Sequence, residues 1–103
     1  MGQANSVNVI ITFRNTESTE AIKNHCTAKV QSCLKKYIHD NTEAHVVLTV
    51  EKNRQKAEIS FHVDGASFSC SEESDDLYAS IDAMTSSLSS QLRKHKEKLT
   101  NHH

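Results

Sequence analysis

Only Gly2 and Gly65 are glycines among these 103 residues, so no glycine-rich loop can cradle a phosphate, and no nucleophile elbow appears either. The adjacent carboxylates Glu72 and Glu73 sit in a solvated acidic run, and no catalytic residue is assigned. Tryptophan is absent; three Phe and two Tyr leave the core to aliphatic side chains. The three cysteines, Cys26, Cys33 and Cys70, are odd in number and show no CxxC spacing. Cys26 and Cys33 fall in one predicted helix, where seven residues at 1.5 Å each separate them by roughly 10 Å, beyond disulfide reach. They read as small buried residues of a reducing compartment. Among seven histidines, only the terminal His102 and His103 are adjacent, and none has chelating spacing to a Cys or carboxylate. No metal and no cofactor is expected. No apolar run approaches 18 residues, and MGQANSVNV is neither a signal peptide nor a transit sequence, which points to the cytoplasm and away from a membrane. MGQANS fits the Met-Gly-x-x-x-Ser pattern of N-myristoylation, a short match of little specificity.

What is present suits one domain over residues 1–103. VNVIITF alternates, with Val7, Val9, Ile11 and Phe13 on one face of a strand. A helix follows, capped by Ser18 or Thr19, with Ile22, Cys26, Val30, Cys33 and Tyr37 in its apolar stripe. HVVLTVEK (45–52) predicts a second strand and NRQ a turn. AEISFHV (57–63) predicts a third strand, with Ala57, Ile59, Phe61 and Val63 inward. Asp64-Gly65 is a hairpin signal, and ASFSCS (66–71) places Phe68 and Cys70 inward. The last helix runs from about Asp75 to Leu99, roughly 37 Å. Its stripe is Leu77, Ile81, Met84, Leu88, Leu92, His95 and Leu99. The order β-α-β-β-β-α predicts an α+β fold, a four-stranded sheet with both helices on one face, like a double-stranded-RNA-binding domain.

Net charge is -1, so a case for nucleic acid rests on where charges sit. The outward sheet positions, among them Asn8, Thr12, His45, Thr49, Glu51, Glu58, Ser60, His62, Ser67 and Ser69, hold no Phe, Tyr or Trp on which bases could stack. Nucleic acid would have to meet helices and loops. Glu72, Glu73, Asp75, Asp76 and Asp82 precede or open the last helix, whereas Arg93, Lys94, Lys96 and Lys98 close it against only Glu97. Such polarity complements the helix macrodipole by itself. On the first helix Lys29 and Lys36 share a flank with His25, with Lys35 nearby, so two basic surfaces are expected along one groove. Lys52, Arg54 and Lys56 surround the second turn, where cations also serve as edge protection. Asp75 and Asp76 read as caps, Tyr78 as a packing residue with a solvated hydroxyl, and His95 as a partly buried ring on the stripe.

STEAI (18–22), TAKV (27–30), VVLTVEK, the hairpin after it, DDLYASID (75–82) and QLRKHKEKL (91–99) resemble, in order and spacing, the bacterial ribosome hibernation-promoting factors and the related ribosome-associated inhibitor. The resemblance covers essentially the whole chain. It implies binding to ribosomal RNA in the decoding channel of the small ribosomal subunit, where mRNA and the tRNAs of the A and P sites would lie. Translation would be silenced by occlusion during stress or stationary phase, without catalysis. A chain that stops four residues after Leu99 resembles the short branch. That branch implies a monomer when free and a ribosome modulation factor as the partner in forming inactive ribosome dimers.

Carried over by position, Lys29, Lys52, Lys94, Lys96 and Lys98 match commonly basic sites of the family, and Arg93 is an added cation. With Lys36 these are the candidate ribosomal-RNA contacts. Ser32, Thr49, Ser87 and Ser90 stand where relatives commonly carry Lys or Arg, and Phe13 replaces a frequent Gly. Each lost cation removes a phosphate contact. A second function class therefore stands beside the first, a divergent protein-interaction or regulatory module with weak or no ribosome binding.

Overall fold

The computed structural model describes residues 7–38, 41–63 and 65–100, with the side chains of the last helix as far as His95. In chain order the elements are β1 (Val7–Arg14), α1 (Glu20–Tyr37), β2 (Thr42–Glu51), β3 (Arg54–Val63), β4 (Ala66–Ser74) and α2 (Leu77–Thr100). The strands form one sheet in the order β1-β2-β3-β4. β2, β3 and β4 pair antiparallel through hairpins, while β1 runs parallel to β2. Parallel neighbours cannot be joined by a tight turn, and α1 makes the crossover between them.

Register carries one apolar face across all four strands. Ile11 pairs with Val46, Val46 with Ile59, and Ile59 with Cys70, so these side chains share a side. Phe61 stacks on its partner Phe68 with ring centroids 5.2 Å apart. Both helices cover this face. α2 contributes Leu77, Ile81, Met84, Leu88 and Leu92, all buried, as its periodicity predicts. α1 buries Cys26, Val30, Cys33 and also Leu34, which lies outside its predicted stripe. The wider arc follows from position, since α1 packs against both β1 and α2.

Three boundaries differ from the sequence-based expectation. β2 begins at Thr42, where Thr42 and Ala44 are buried opposite Val7 and Val9; pairing with β1 extends a strand whose local sequence is polar. The turn before β3 is Lys52-Asn53, so Arg54 already pairs with Glu51. β4 continues to Ser74, which puts Glu72 and Glu73 on a strand, and α2 begins at Leu77 with no acid in its first turn. The expected acidic helix start is therefore corrected: of the five carboxylates only Asp82 lies within α2.

Local hydrogen bonds explain the helix starts. Thr19 Oγ1 accepts from the Ile22 amide at 3.2 Å and caps α1. Asp76 Oδ1 accepts from the Tyr78 amide at 3.3 Å, and Gln55 Oε1 accepts from the Leu77 amide at 3.0 Å, so β3 supplies part of the cap of α2. Fully buried Ser80 donates to the Gln55 carbonyl at 2.6 Å and lies 2.7 Å from Ser74 Oγ. Gly65 has φ +75° where Val63 pairs with Ala66, the conformation a residue without Cβ adopts freely. Asp64, MGQANS, His102 and His103 lie outside the described residues. Among the described residues no helix is long and apolar enough to cross a membrane.

Candidate nucleic-acid interface

α1 and α2 run side by side in the same direction, because their contacts advance together: His25 meets Asp82, Cys33 meets Thr85, and Tyr37 meets Ser89. The C-terminal end of α1 is therefore level with Ser89, and α2 runs on for roughly 16 Å beyond it. Cations gather there. Lys35 and Lys36 occupy the last turn of α1. Arg93 follows Ser89 by one turn of α2, and both Arg93 and Lys94 are exposed.

Between the helices runs a groove of about 250 Å³, with Lys29, Ser32 and Lys36 on one wall and Asp82, Thr85, Ser86 and Ser89 on the other. The first wall is the basic flank expected from sequence. The second carries hydroxyls and one carboxylate where a basic wall was expected, and becomes basic only beyond Ser89, at Arg93. The spacing 82, 86, 89, 93 places these positions on one helical line, a signal legible only once the partner helix is known. Asp82 Oδ1 lies 2.9 Å from His25 Nε2 and 3.7 Å from Lys29 Nζ, so it counters one of the predicted cations. Tyr78 meets the His25 ring edge-on at 5.0 Å and is 38% exposed.

The other candidates are dispersed. Lys94 lines a separate hollow of about 370 Å³ with Ser67, Phe68, Gln91 and His95, on the β4 side of α2. His95 packs edge-on against Phe68 at 5.1 Å, and its buried Nε2 has no hydrogen-bond partner among the described residues. Lys52 sits in the β2–β3 turn, near the start of α2, and thus roughly 24 Å along the helix axis from Arg93. Lys96 and Lys98 belong to the last turns of α2, but their side chains lie outside the described residues. Among the described residues Lys36, Lys52, Arg93 and Lys94 make no ion pair, whereas Arg54 binds Glu73 at 2.9 Å and Lys56 binds Glu58 at 3.2 Å. Those two hairpin cations are engaged within the sheet.

The four hydroxyl residues at commonly basic positions have distinct settings. Ser32 lines the groove, Ser87 donates to Glu72 Oε2 at 2.8 Å, Ser90 is exposed, and Thr49 lies on the outer sheet face beside Lys56. The cysteines offer no nucleophile. Burial pushes the Cys26 thiol up to about 12; burial, then Glu72 and Cys33, push Cys70 up to about 11. Burial also raises Cys33, against an opposing pull from Lys36 and Lys29. Such thiols stay protonated at neutral pH.

Comparison with known proteins fits this architecture. Residues 9–100 match the family model described as Sigma 54 modulation protein / S30EA ribosomal protein. The ribosome hibernation promoting factor of Escherichia coli K12 is 40% identical over 92 residues, covering 89% of this chain and 96% of that one. The factor of the same name from Azotobacter vinelandii is 38% identical over 90 residues, covering 87% and 83%. Among solved structures, the N-terminal domain of Thermus thermophilus Protein Y superposes with a TM-score of 0.77 at 29% identity, covering 85% of this chain and 98% of that one. A ribosomal subunit interface protein from Coxiella burnetii shares the fold, with a TM-score of 0.76 at 21% identity over 88% of this chain and 99% of that one.

Proposed function

We propose that this chain, which belongs to the Sigma 54 modulation protein / S30EA ribosomal protein family, is a ribosome-associated hibernation factor of bacteria. In this reading residues 1–103 act in the cytoplasm as one ribosome-binding domain. It lies on ribosomal RNA in the decoding channel of the small subunit, where mRNA and the A-site and P-site tRNAs would otherwise bind. No bond is made or broken; translation stops because the channel is filled. A ribosome modulation factor is the partner with which silenced ribosomes form inactive dimers.

The observation that carries the reading is the parallel pairing of the helices, which sets Lys29 and Lys36 in the groove and leaves Arg93 one helical turn beyond its last residue, Ser89. Cations without carboxylate partners can meet phosphates without first breaking an ion pair, and each contact releases a counterion. The sheet's outer face, without Phe, Tyr or Trp, leaves shape and phosphate contact as the recognition mode. Lys29, Lys36, Lys52, Arg93, Lys94, Lys96 and Lys98 are the proposed contacts, with the Arg93–Lys98 segment carrying most of the affinity.

Co-sedimentation with isolated small subunits across a salt series, with mRNA and initiator tRNA as competitors, tests this. Salt-sensitive binding that both competitors displace is the expected result. The hydroxyl-lined wall and Asp82 favour a second reading, a protein-interaction module that has drifted off the ribosome. Absence of binding even at low salt would overturn the first reading in favour of the second.

A further inference from the structure

We infer that Asp82 is a brake on the groove's attraction for phosphate and that protonation of His25 releases it, so that affinity for RNA rises in mildly acidic conditions. The inference rests on the groove being an RNA-binding surface and names how that surface is regulated. One carboxylate oxygen, Asp82 Oδ1, serves both neighbours: it lies at hydrogen-bond distance, 2.9 Å, from His25 Nε2 and at a looser 3.7 Å from Lys29 Nζ. With a neutral imidazole donating through Nε2, Asp82 and Lys29 cancel and this part of the groove has no net charge. With an imidazolium the three groups sum to one positive charge, and His25 becomes the closer cationic partner of the carboxylate. Lys29, already the more distant partner, is then available to a phosphate entering beside Ser32 and Ser86.

The groups that face His25 come from two helices. From α2 it faces Asp82 and the edge of Tyr78; from its own helix, Lys29 one turn on. β1, the strand packed against α1, directs Val7, Val9, Ile11 and Phe13 toward the core. Histidine ordinarily changes charge between about pH 5 and 8, a range over which carboxylates and ammonium groups ordinarily keep theirs. The His25 and Asp82 side chains are 30% and 52% exposed, so solvent screens their direct attraction. The readable effect is the added net charge. One extra phosphate neutralised at 0.1 M salt is worth about eightfold in affinity at most.

The test measures equilibrium binding of the full chain, His25→Gln and Asp82→Asn to two probes, isolated small subunits and a duplex RNA of arbitrary sequence, at fixed salt from about pH 8 to 5.5. The expected result is a rise of several-fold in wild-type affinity toward acid, loss of most of that rise in His25→Gln, and several-fold tighter binding by Asp82→Asn at pH 8. A flat wild-type profile, an undiminished rise in His25→Gln, or no gain in Asp82→Asn overturns the inference. If the acid-driven rise and its loss appear on duplex RNA while the small subunit is not bound, the hibernation reading fails and the inference stands. If neither probe binds at any pH at low salt, both fall.

Discussion

At the start of α2, Ser80 donates to the Gln55 carbonyl at 2.6 Å, Asp76 accepts from the Tyr78 amide and Gln55 accepts from the Leu77 amide. At the other end of the same helix, Arg93 and Lys94 are exposed with no ion pair among the described residues. The contrast separates two uses of polarity. A helix start presents orphan N–H groups that must find acceptors, and here the sheet provides them, so polar residues are consumed in holding the fold. Arg93 and Lys94, short of the last turn, make no ion pair among the described residues, and their donors can turn to another molecule. Charge that no described residue answers is what the proposed interface uses to recognise a partner.

The largest expected effect breaks the basic end. Replacing Arg93, Lys94, Lys96 and Lys98 together with Ala lowers small-subunit affinity by up to about four-thousandfold at 0.1 M salt and flattens the salt dependence by up to about 3.6 in log–log slope. Thermal unfolding should move little, and an unchanged affinity would remove this end from the proposed interface. The opposite signature is expected at the helix start. Ser80→Ala takes the hydroxyl donor from the part-buried Gln55 carbonyl and costs about 1 kcal/mol in denaturant unfolding, while RNA affinity of the folded protein is unaffected. A loss of RNA affinity without a loss of stability would erase the distinction between the two ends.

A smaller gain sharpens it. Ser32→Lys adds a cation to the groove wall that already holds Lys29 and Lys36, and should tighten small-subunit binding by about eightfold at most at 0.1 M salt. If affinity does not rise, the missing family cations are not what limits binding. The last effect concerns the core beneath the groove and is read in stability alone. The Cys26 thiol is raised by burial from 9.0 to about 12, so above pH 9 the unfolded chain releases its proton first and stability falls as pH rises toward 12. Cys26→Ala should show a shallower decline than the wild type in denaturant titrations at pH 8 and 10.5; parallel declines would contradict the assignment.

Much of the fold was legible in sequence because it rests on periodicity. The alternation of Val7, Val9, Ile11 and Phe13 and the stripe from Leu77 to Leu92 lie where the predicted strand and helix place them. Misread boundaries occurred where tertiary pairing overrode local composition. Glu72 and Glu73 look like a helix start but form part of β4 opposite Ala57 and Lys56. The basic flank of Lys29 and Lys36 was legible for the same reason as the stripe beside it. Its opposite wall was not, because Asp82, Ser86 and Ser89 carry no local signal that they face α1.

By itself the sequence determined the order and type of the elements, the apolar faces, the want of catalytic and metal-binding patterns, and the concentration of cations at its end. These are properties of spacing and composition within one segment, read from the 2.0 and 3.6 residue periods. Only the tertiary structure decided that the two helices run in the same direction, that Lys36 lies in the groove and Arg93 one turn beyond it while Lys52 lies away from them, and that one oxygen of Asp82 serves both His25 and Lys29. Those facts relate residues far apart in the chain, His25 to Asp82 across 57 positions. No local pattern encodes such a distance; packing against a common sheet sets it.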